Sequence, residues 1–564
     1  MAEESTYWQQ TARSISRRRL VAGLGASAAG LALAACGGST AKPAASPGTT
    51  TSGATAAGAA PVLNVKRGGT FNTPSTLLNA VLDPHQATFP NMLQIWHNIS
   101  HHLIELDEKL QPTKDGLAQS WEIPDKTSLV FKLYPGVKFH DKPPANGRVM
   151  TAEDVVYSLS RISTPEARFA RRSEFSQVDK IEAPDAQTVK ITLKQPYVPM
   201  LMYLGTMYNV IVNKEAVEKY GDLARPESSI GVGPFMLDRY DKESGATLVK
   251  NPNYFRKDLP YLDKIEITVF ADPAPRQAAL RAGQIHFSDE QIRFVPELMK
   301  ANPKFQQVKT ANTFLSEFGM NATTVKQFAD PRVRQAIFLV LDRDKALAAT
   351  YGARENGVYA APVPTLLDPY ALSDADLAKI PGYRQPKDQD IADAKKLMAA
   401  AGYPDGFKVN AKTANEYKDA IEPFIPDLKQ LLGIDVNLQV LEWGAYKQAE
   451  SLKQVEAFGT GYQVEPEADA NLRLFSSSTG TRNYVGFSDA KADDLINKQA
   501  AEYDVSARSQ IVKDAIRYLI PLAAHGWQFG AAWIYRLSDP KVHGIFTVPA
   551  NPQDRQDYTR VWIG

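Results

Sequence analysis

Short runs of alternating hydrophobic and polar residues recur along most of the chain after residue 61. Alternation with a period of two is the pattern of half-buried β-strands. It predicts strands at 62–71, 129–133, 188–193, 265–270 and 436–440. The chain between them carries apolar residues at helical spacing, so strands and helices alternate irregularly over about 500 residues. This order predicts a mixed α/β protein with more than one domain.

Three of the predicted helices have recognisable ends. Thr151 begins one with a capping sequence that includes Asp154, and its apolar face carries Val155, Val156, Leu159 and Ile162. A second begins at Asp330-Pro331 and continues through Val333, Ile337 and Leu341. A third spans 393–401 and ends at Gly402. These ends predict helices of ordinary globular length between the strands.

The amino terminus carries the pattern of an export signal. An uncharged run, 20–35, follows Arg17, Arg18 and Arg19 and ends at Cys36, the one cysteine among 564 residues. The arginines resemble the twin-arginine export motif, and Leu33-Ala34-Ala35-Cys36 resembles the lipobox of bacterial lipoproteins. We therefore predict a signal peptide at 1–35, with Arg17 and Arg18 in the export signal, and a flexible tether at 36–61 lipidated at Cys36. The alternative is an ordinary signal peptide with a chance cysteine.

The balanced charge of the chain and the lack of catalytic motifs in its sequence narrow the range of possible functions. The chain has 64 Lys+Arg against 63 Asp+Glu, a balance that argues against a nucleic-acid partner. No later segment has the roughly 18 uncharged apolar residues of a membrane span. The sequence contains no G-x-S-x-G, H-E-x-x-H or Walker-type motif, so it nominates no catalytic residue. We predict a protein without a metal or other cofactor, and a monomer.

Histidines are the remaining candidates for chemistry. His97 and His101 share a helix face at i, i+4 spacing and could form half of a metal site. With no nearby carboxylate or cysteine to complete it, a hydrogen-bonded structural role is favoured. His140 next to Asp141 could be a general base, but a turn residue closing a strand explains it as well, and we favour that role.

An ordered set of motifs then resembles one family, the family 5 extracytoplasmic solute-binding proteins, which are the peptide and nickel receptors of ABC importers. The motifs cover essentially everything after residue 65 and include 116–122 (GLAQSWE), 136–141 (GVKFHD), 151–158 (TAEDVVYS), 231–235 (GVGPF), 251–255 (NPNYF), 333–337 (VRQAI) and 401–407 (AGYPDGF). Each is weak alone, but the set in family order is specific.

The resemblance implies an α/β, two-lobed periplasmic-binding-protein fold with a hinge and an extra inserted domain. Carried onto this sequence, lobe I takes 62–102, 229–312 and 522–564, the inserted domain takes 103–228, and lobe II takes 313–521. The implied function is capture of a peptide or small polar solute and its delivery to an ABC permease and its ATPase subunits. The protein would be lipid-anchored at the outer face of the cytoplasmic membrane. The alternatives are an exported folded hydrolase or metal-dependent enzyme, and a lipoprotein whose cleft serves signalling or folding.

The resemblance also nominates ligand-binding residues. Peptide receptors of the family tend to read Gly-Trp-x-x-Asp where this chain has Gly461 to Glu465, so Tyr462 takes the aromatic place and Glu465 the acidic one. A carboxylate in a closed cleft favours a ligand that brings a cation. The alternative is a solvated loop charge. Broad aromatic and amide contacts would come from Phe314, Trp443, Asn483 and Tyr484, although each ring could equally belong to the core.

Overall fold

The structure is a computed structural model of the 564-residue chain. Its described residues are 65–78, 81–87, 93–107, 110–166, 168–169, 171–311, 314–365, 367, 369–465, 467–523, 527–529, 533–545 and 557–564. The predicted signal with Arg17 and Arg18, the lipidation site Cys36 and the tether at 36–61 lie outside the described residues. No helix among the described residues is both long enough and apolar enough to cross a bilayer.

The described strands are, in chain order, β1 (Thr70–Ser75), β2 (Glu105–Leu106), β3 (Pro112–Thr113), β4 (Ala118–Asp125), β5 (Ser128–Leu133), β6 (Val178–Asp185), β7 (Thr188–Leu193), β8 (Phe235–Asp241), β9 (Gly245–Lys250), β10 (Lys264–Val269), β11 (Phe287–Gln291), β12 (Gln306–Ala311), β13 (Phe314–Met320), β14 (Lys408–Ala414), β15 (Asp435–Leu441), β16 (Ala457–Gln463), β17 (Trp527–Phe529), β18 (Trp533–Ser538), β19 (Val542–His543) and β20 (Trp562–Ile563).

The described α-helices are α1 (Leu93–Ile99), α2 (Ala152–Ser163), α3 (Met200–Tyr203), α4 (Lys214–Tyr220), α5 (Pro273–Arg281), α6 (Val295–Ala301), α7 (Lys326–Ala329), α8 (Pro331–Val340), α9 (Arg343–Tyr351), α10 (Asp374–Leu377), α11 (Asp388–Ala400), α12 (Lys418–Ile421), α13 (Ile425–Leu432), α14 (Trp443–Ser451), α15 (Ala468–Ser476), α16 (Ala490–Ala501) and α17 (Val505–Leu522).

Four sheets of three or more strands organise most of the described elements, and β2-β3 and β19-β20 form two further two-stranded sheets. Sheet A has the order β1-β10-β9-β8, sheet B β11-β18-β12, sheet C β4-β5-β7-β6 and sheet D β15-β14-β16-β13-β17. Sheet C is antiparallel throughout and comes from one continuous stretch, 118–193. Sheet D is mixed, because β14 runs parallel to β15 and β16 while β13 runs antiparallel to β16 and β17. Mixed sheets joined by helices confirm the α/β class.

Most of the predicted elements are confirmed, and two have different limits. Strands β5, β7, β10 and β15 match within a residue at each end, and α2 carries the predicted capping box between Thr151 and Asp154. The opening strand was placed too early, since β1 begins at Thr70. Gly68 and Gly69 precede it with φ of 88° and 89°, a left-handed conformation that a strand does not accommodate. The helix predicted at 393–401 begins five residues earlier, at Asp388, and ends at Ala400.

Two neighbouring strand crossings connect sheet B with sheet D. The chain leaves sheet B at the end of β12 and enters sheet D at Phe314, the first residue of β13. It returns between β17, in sheet D, and β18, in sheet B. Because β12 pairs with β18 and β13 pairs with β17, the strands on either side of the two crossings are neighbours. Paired crossings of this kind can bend while the sheets on either side stay rigid.

The predicted motif Gly231-Val232-Gly233-Pro234 shows why glycine is needed in a close backbone approach. A Cβ on Gly231 would lie 1.9 Å from the carbonyl oxygen of Ile99, at the end of α1. The Gly233 N–H donates to that same oxygen at 2.9 Å. The motif therefore fastens the chain entering β8 against the end of α1, which is a structural role.

Candidate functional site

A buried carboxylate, Asp469 in α15, fastens the segment that follows sheet C onto the helices around sheet D. The hydroxyls of Tyr197 and Tyr203 each donate to Asp469 Oδ2 at 2.9 Å. Arg473 donates to both carboxylate oxygens at 2.9 and 3.0 Å, and Gln499 donates to Oδ1 at 2.6 Å. Burial works to raise the pKa of Asp469, but the charge and hydrogen bonds of Arg473 hold it below its usual range.

Glu465 lies at the same boundary and is buried, with 2% of its surface exposed. Its backbone is held on both sides by Asn471, which accepts from the Glu465 N–H at 3.1 Å and donates to the Glu465 carbonyl at 2.8 Å. The carboxylate Oε1 lies 2.6 Å from Nη1 of Arg171, which comes from the connection between α2 and β6. The alternative of a solvated loop charge is therefore wrong.

Arg171 is enclosed by a second acid and an aromatic ring. Its Nη1 lies 3.2 Å from Oε1 of Glu174, and its guanidinium carbon lies 3.8 Å from the centroid of the Tyr208 ring. Asn209 donates to the other Glu174 oxygen at 3.1 Å. Burial raises the pKa of Glu174 to about 7, against the opposing charge of Arg171. A cation placed between two carboxylates and over a ring is held by charge and by cation–π attraction.

A second arginine approaches Glu465 from its own side of the boundary. Nη1 of Arg482 lies 3.7 Å from Glu465 Oε1, and 15% of the Arg482 side chain is exposed. By comparison, the side chains of Arg171 and Glu465 are 1% and 3% exposed. Arg482 is thus the charged group of this cluster with the most access to solvent. We define the boundary cluster as Arg171, Glu174, Glu465 and Arg482.

Two of the predicted aromatic residues lie near one lysine. Nζ of Lys447 lies 5.4 Å from the ring centroid of Trp443 and 6.0 Å from that of Tyr484. Trp443 is the first residue of α14 and also packs against Tyr417 at 5.6 Å between ring centroids. Burial raises the pKa of Tyr484, with the charge of nearby Arg482 opposing the shift. The structure therefore places Trp443 and Tyr484 near the same lysine, with Arg482 close to Tyr484.

Asn483 is held within its own loop. Its amide donates to the carbonyls of Ser477 and Phe487 at 3.0 and 2.6 Å and accepts from the Phe487 N–H at 2.9 Å. Both ends of the amide therefore help to shape this loop, and the predicted contact of Asn483 with a ligand stays a prediction.

The other two predicted residues are described by their backbone only. Phe314 begins β13 opposite Gln463, and Tyr462 lies in β16 opposite Leu315. The two residues therefore lie on neighbouring strands, at the point where the chain enters sheet D. Their side chains lie outside the described part of the structure.

His101 and His102 have hydrogen-bonding partners, and the His97 ring contacts that of His102 at 5.6 Å between centroids. His101 bonds with the Tyr254 hydroxyl at 2.8 Å and contacts Glu105 at 3.3 Å, and Glu105 also contacts His102 at 3.0 Å. The predicted hydrogen-bonded role of His101 is confirmed, but the expectation that no carboxylate lies nearby was wrong. Among the described residues, no group of three or more His, Cys, Asp or Glu side chains is arranged to hold a metal ion.

His140 lies in the turn after residues 137–139, and its ring contacts the backbone of the motif Gly231-Val232-Gly233-Pro234. Its Nδ1 accepts from the Gly231 N–H at 3.3 Å, and its Nε2 lies 3.4 Å from the Gly233 carbonyl. Burial lowers the pKa of His140 to about 3, so the ring is neutral at ordinary pH. Both ring nitrogens face backbone groups, which fits a turn residue rather than a general base.

Sequence reasoning missed most of the boundary cluster. Arg171 and Glu174 lie in a charged stretch, 166–174, that looks like an exposed loop when only the sequence is read. Likewise, no sequence motif pointed to Arg482 or Lys447. Only the tertiary structure brings Arg171 to Glu465, 294 positions later in the chain by their residue numbers.

Comparison with known protein families identifies the fold. Residues 113–483 match the family model described as bacterial extracellular solute-binding proteins, family 5 middle. The chain belongs to the family 5 bacterial extracellular solute-binding proteins. It is accordingly a solute-binding component of an ABC importer, of a family whose members work outside the cytoplasm.

Similar proteins are described as binding proteins. The glutathione-binding protein GsiB of Escherichia coli K12 is 26% identical over 447 residues, covering 77% of this chain and 83% of the relative. A solved structure of DppA from Helicobacter pylori in complex with the peptide STSA is 24% identical with a TM-score of 0.75, covering 88% of this chain and 98% of that one. These similarities confirm the two-lobed periplasmic-binding-protein fold.

One relative has been solved in two forms. The murein tripeptide binding protein MppA of E. coli is 22% identical to this chain, and one structure of it has a TM-score of 0.76, covering 88% of this chain and 99% of that one. Its unliganded open form has a TM-score of 0.65, covering 88% and 98%. The solute-binding protein therefore shares the fold of MppA.

Proposed function

We propose that this solute-binding protein captures a short peptide or another small polar solute in a cleft between its two lobes and delivers it to an ABC permease and its ATPase subunits. The proposal takes lobe I as 62–102, 229–312 and 533–564, the inserted domain as 103–228, and lobe II as 313–529. The return boundary is moved from 522 because β17 belongs to sheet D. We propose as residues of the cleft Phe314, Trp443, Tyr462, Glu465, Asn483 and Tyr484.

The observation that carries the proposal is the ion pair between Arg171 and Glu465. The two side chains come from different parts of the molecule, and each is almost completely buried at the boundary. A buried charge is costly without its partner, so this pair favours the arrangement in which the two parts are together. The neighbouring crossings between sheets B and D supply a hinge about which they could separate.

Ligand capture by such a protein is a shift of population. A solute that contacts both lobes binds the closed arrangement better than the open one and shifts the equilibrium by that difference in affinity. The closed arrangement is the one that would present the solute to a permease.

The first candidate solutes are short peptides. GsiB is named as glutathione-binding, and the structure of DppA was solved with a four-residue peptide. Glutathione and tripeptides of simple composition are therefore the solutes to test first.

Native mass spectrometry of the purified protein tests this function directly. We expect a co-purified small solute that is released unchanged on denaturation, and a rise of several degrees in melting temperature when glutathione or a tripeptide is added. A variant with Trp443→Ala should lose most of that rise, whereas Trp562→Ala, outside the proposed cleft, should keep it. Chemical conversion of the solute, or no response to any peptide or polar solute tested, would contradict the proposal.

The proposed location and anchor have their own test. We propose that Cys36 carries the lipid anchor, that Arg17 and Arg18 belong to the export signal, and that the protein acts as a monomer at the outer face of the membrane. The mass of the mature amino-terminal peptide should show cleavage before Cys36 and an added diacylglyceryl group, and Cys36→Ser should release the protein from membranes.

A further inference from the structure

The boundary cluster has an unusual charge arrangement for a cleft expected to accept a cation. A lone buried carboxylate would favour a ligand with an amine, but Glu465 already has the guanidinium of Arg171 at 2.6 Å and that of Arg482 at 3.7 Å. An ammonium group that approached Glu465 would meet both guanidinium groups at short range. Like charges in a poorly solvated site repel strongly, so the approach is unfavourable while the pair is intact.

The side chain of Arg171 is also held in position by its neighbours. Its guanidinium lies over the Tyr208 ring at 3.8 Å and within 3.2 Å of Glu174, and 1% of its side chain is exposed. Displacing it from Glu465 would leave a buried cation with fewer partners, which is expensive. A ligand amine would therefore have to compete with a counter-ion that the fold holds in position.

The charged group of the cluster that is most accessible to a ligand is positive, whereas Glu465 alone would present a negative charge. Arg482 is the most exposed member of the cluster, and its Nη1 is 3.7 Å from the carboxylate that Arg171 already neutralises. A guanidinium with spare donors suits a carboxylate or another anionic group.

We infer that Arg171 is a built-in counter-ion for Glu465, so that this receptor selects solutes that are neutral or anionic where they face the pair, rather than solutes with a free amine there. The inference rests on the proposed function, because it concerns the ligand of the same cleft. It separates this chain from the expectation, drawn from the family resemblance, that Glu465 grips an amino terminus.

A double-mutant cycle tests the pairing without any ligand. Arg171→Gln, Glu465→Gln and the double variant are compared with the unchanged protein by thermal unfolding. If the two side chains neutralise each other, each single variant lowers the melting temperature and the double variant falls well short of the sum of the two shifts. Additive shifts would overturn the inference. Arg168→Gln is the matched control, since Arg168 lies in the same connection with 46% of its side chain exposed.

Calorimetric titration with matched peptides tests the selectivity. Tri-alanine and N-acetyl-tri-alanine differ in whether the amino end carries a charge. We expect the unchanged protein to bind the acetylated peptide at least as tightly as the free one, and Arg171→Gln to shift the ratio of the two dissociation constants at least tenfold toward the free amine. Preference of the unchanged protein for the free amine, or an unchanged ratio in the variant, would overturn the inference.

The two tests separate this inference from the proposed function. If neither peptide binds any variant, the proposed capture of short peptides fails, and the double-mutant cycle still decides whether Arg171 neutralises Glu465. If peptides bind but the cycle is additive, the function stands and the inference falls.

Discussion

Glu465 and Asp469 lie four positions apart and both meet the region 171–209, yet they are partnered very differently. Asp469 accepts hydrogen bonds from Tyr197, Tyr203, Arg473 and Gln499. Glu465 has an ion pair with Arg171, and its Oε1 has no hydrogen-bond donor of good geometry among the described residues. The Asp469 carboxylate is therefore fully hydrogen-bonded, whereas the charge of Glu465 is balanced mainly by the opposite charge of Arg171.

The difference separates a structural fastening from a functional contact. A fully hydrogen-bonded buried carboxylate stabilises one arrangement and has little left to offer a ligand. A carboxylate held mainly by charge can change partners when the lobes move. We therefore interpret Asp469 as the stronger link across this boundary and the boundary cluster as the weaker one, and both must release when the two parts separate. The following predictions test that comparison.

The largest effect is expected from Asp469→Asn. The change removes the charge that four side chains surround and leaves Arg473 without its carboxylate, so the free energy of unfolding should fall by about 3–5 kcal/mol. Urea denaturation measures it. Asp494→Asn is the control, because the Asp494 side chain is 53% exposed in a surface pair with Lys498, and it should change stability by less than about 0.5 kcal/mol. Equal effects would contradict the role of Asp469.

The second prediction concerns pH. Burial raises the pKa of Glu174 from an ordinary 4.5 to about 7, so the folded state holds a proton that the unfolded state has released. The contribution of Glu174 to stability is therefore fully present below pH 4.5 and falls by up to about 3 kcal/mol as pH rises to 7. The pKa of Asp469 is lowered, so its contribution is lost only on acidification below its ordinary value of 3.8.

The measurement is the difference in stability between the unchanged protein and Glu174→Gln across pH 4 to 8, roughly the range that its shift spans. Using the difference removes the opposite trend from His140, whose lowered pKa makes acid unfavourable to the folded state. A difference that does not vary with pH would mean that the boundary cluster does not titrate as the structure implies.

A smaller effect is expected from Glu465→Gln. Arg171 keeps Glu174 as a partner at 3.2 Å, so the loss should be about 2 kcal/mol, below that of Asp469→Asn. The same urea experiment ranks the two variants. If Glu465→Gln proves the more damaging, then the carboxylate we interpret as part of the weaker link is the main fastening.

The smallest effect is expected from Tyr203→Phe. The change removes one hydrogen bond to Asp469 Oδ2 while Tyr197 still donates to the same oxygen, so about 1 kcal/mol should be lost. Tyr197→Phe should match it, and the double variant should lose more than the sum, because Asp469 then lacks both hydroxyls. A double variant no worse than either single one would show that the two hydroxyls do not share this task.

Local features were predictable because they depend on neighbours in the sequence. The capping box at Thr151 and Asp154 and the aspartate cap at Asp330 follow from side chains two or three residues from the backbone groups they satisfy. The strand limits at 188–193 follow from alternation. The start of β1 was missed because two left-handed glycines, Gly68 and Gly69, interrupt the stretch predicted as one strand.

The site was less predictable. Glu465 was nominated from its place after an aromatic residue, and its role toward a ligand stays a prediction; its partner Arg171 was not foreseen. Asn483 was nominated as a ligand contact, and the structure uses its amide in the loop. A polar side chain near a cleft can serve the loop or the ligand, and only its hydrogen bonds distinguish the two roles.

By itself, the sequence determined the fold class, the family and the local ends of most helices and strands, since periodicity, caps and motif order are written in neighbouring residues. Only the tertiary structure decided which charges meet, because ion pairs between distant segments depend on how sheets B, C and D are arranged. The proposed preference for neutral or anionic solutes rests on the 2.6 Å contact between Arg171 and Glu465, which no local stretch of sequence reveals.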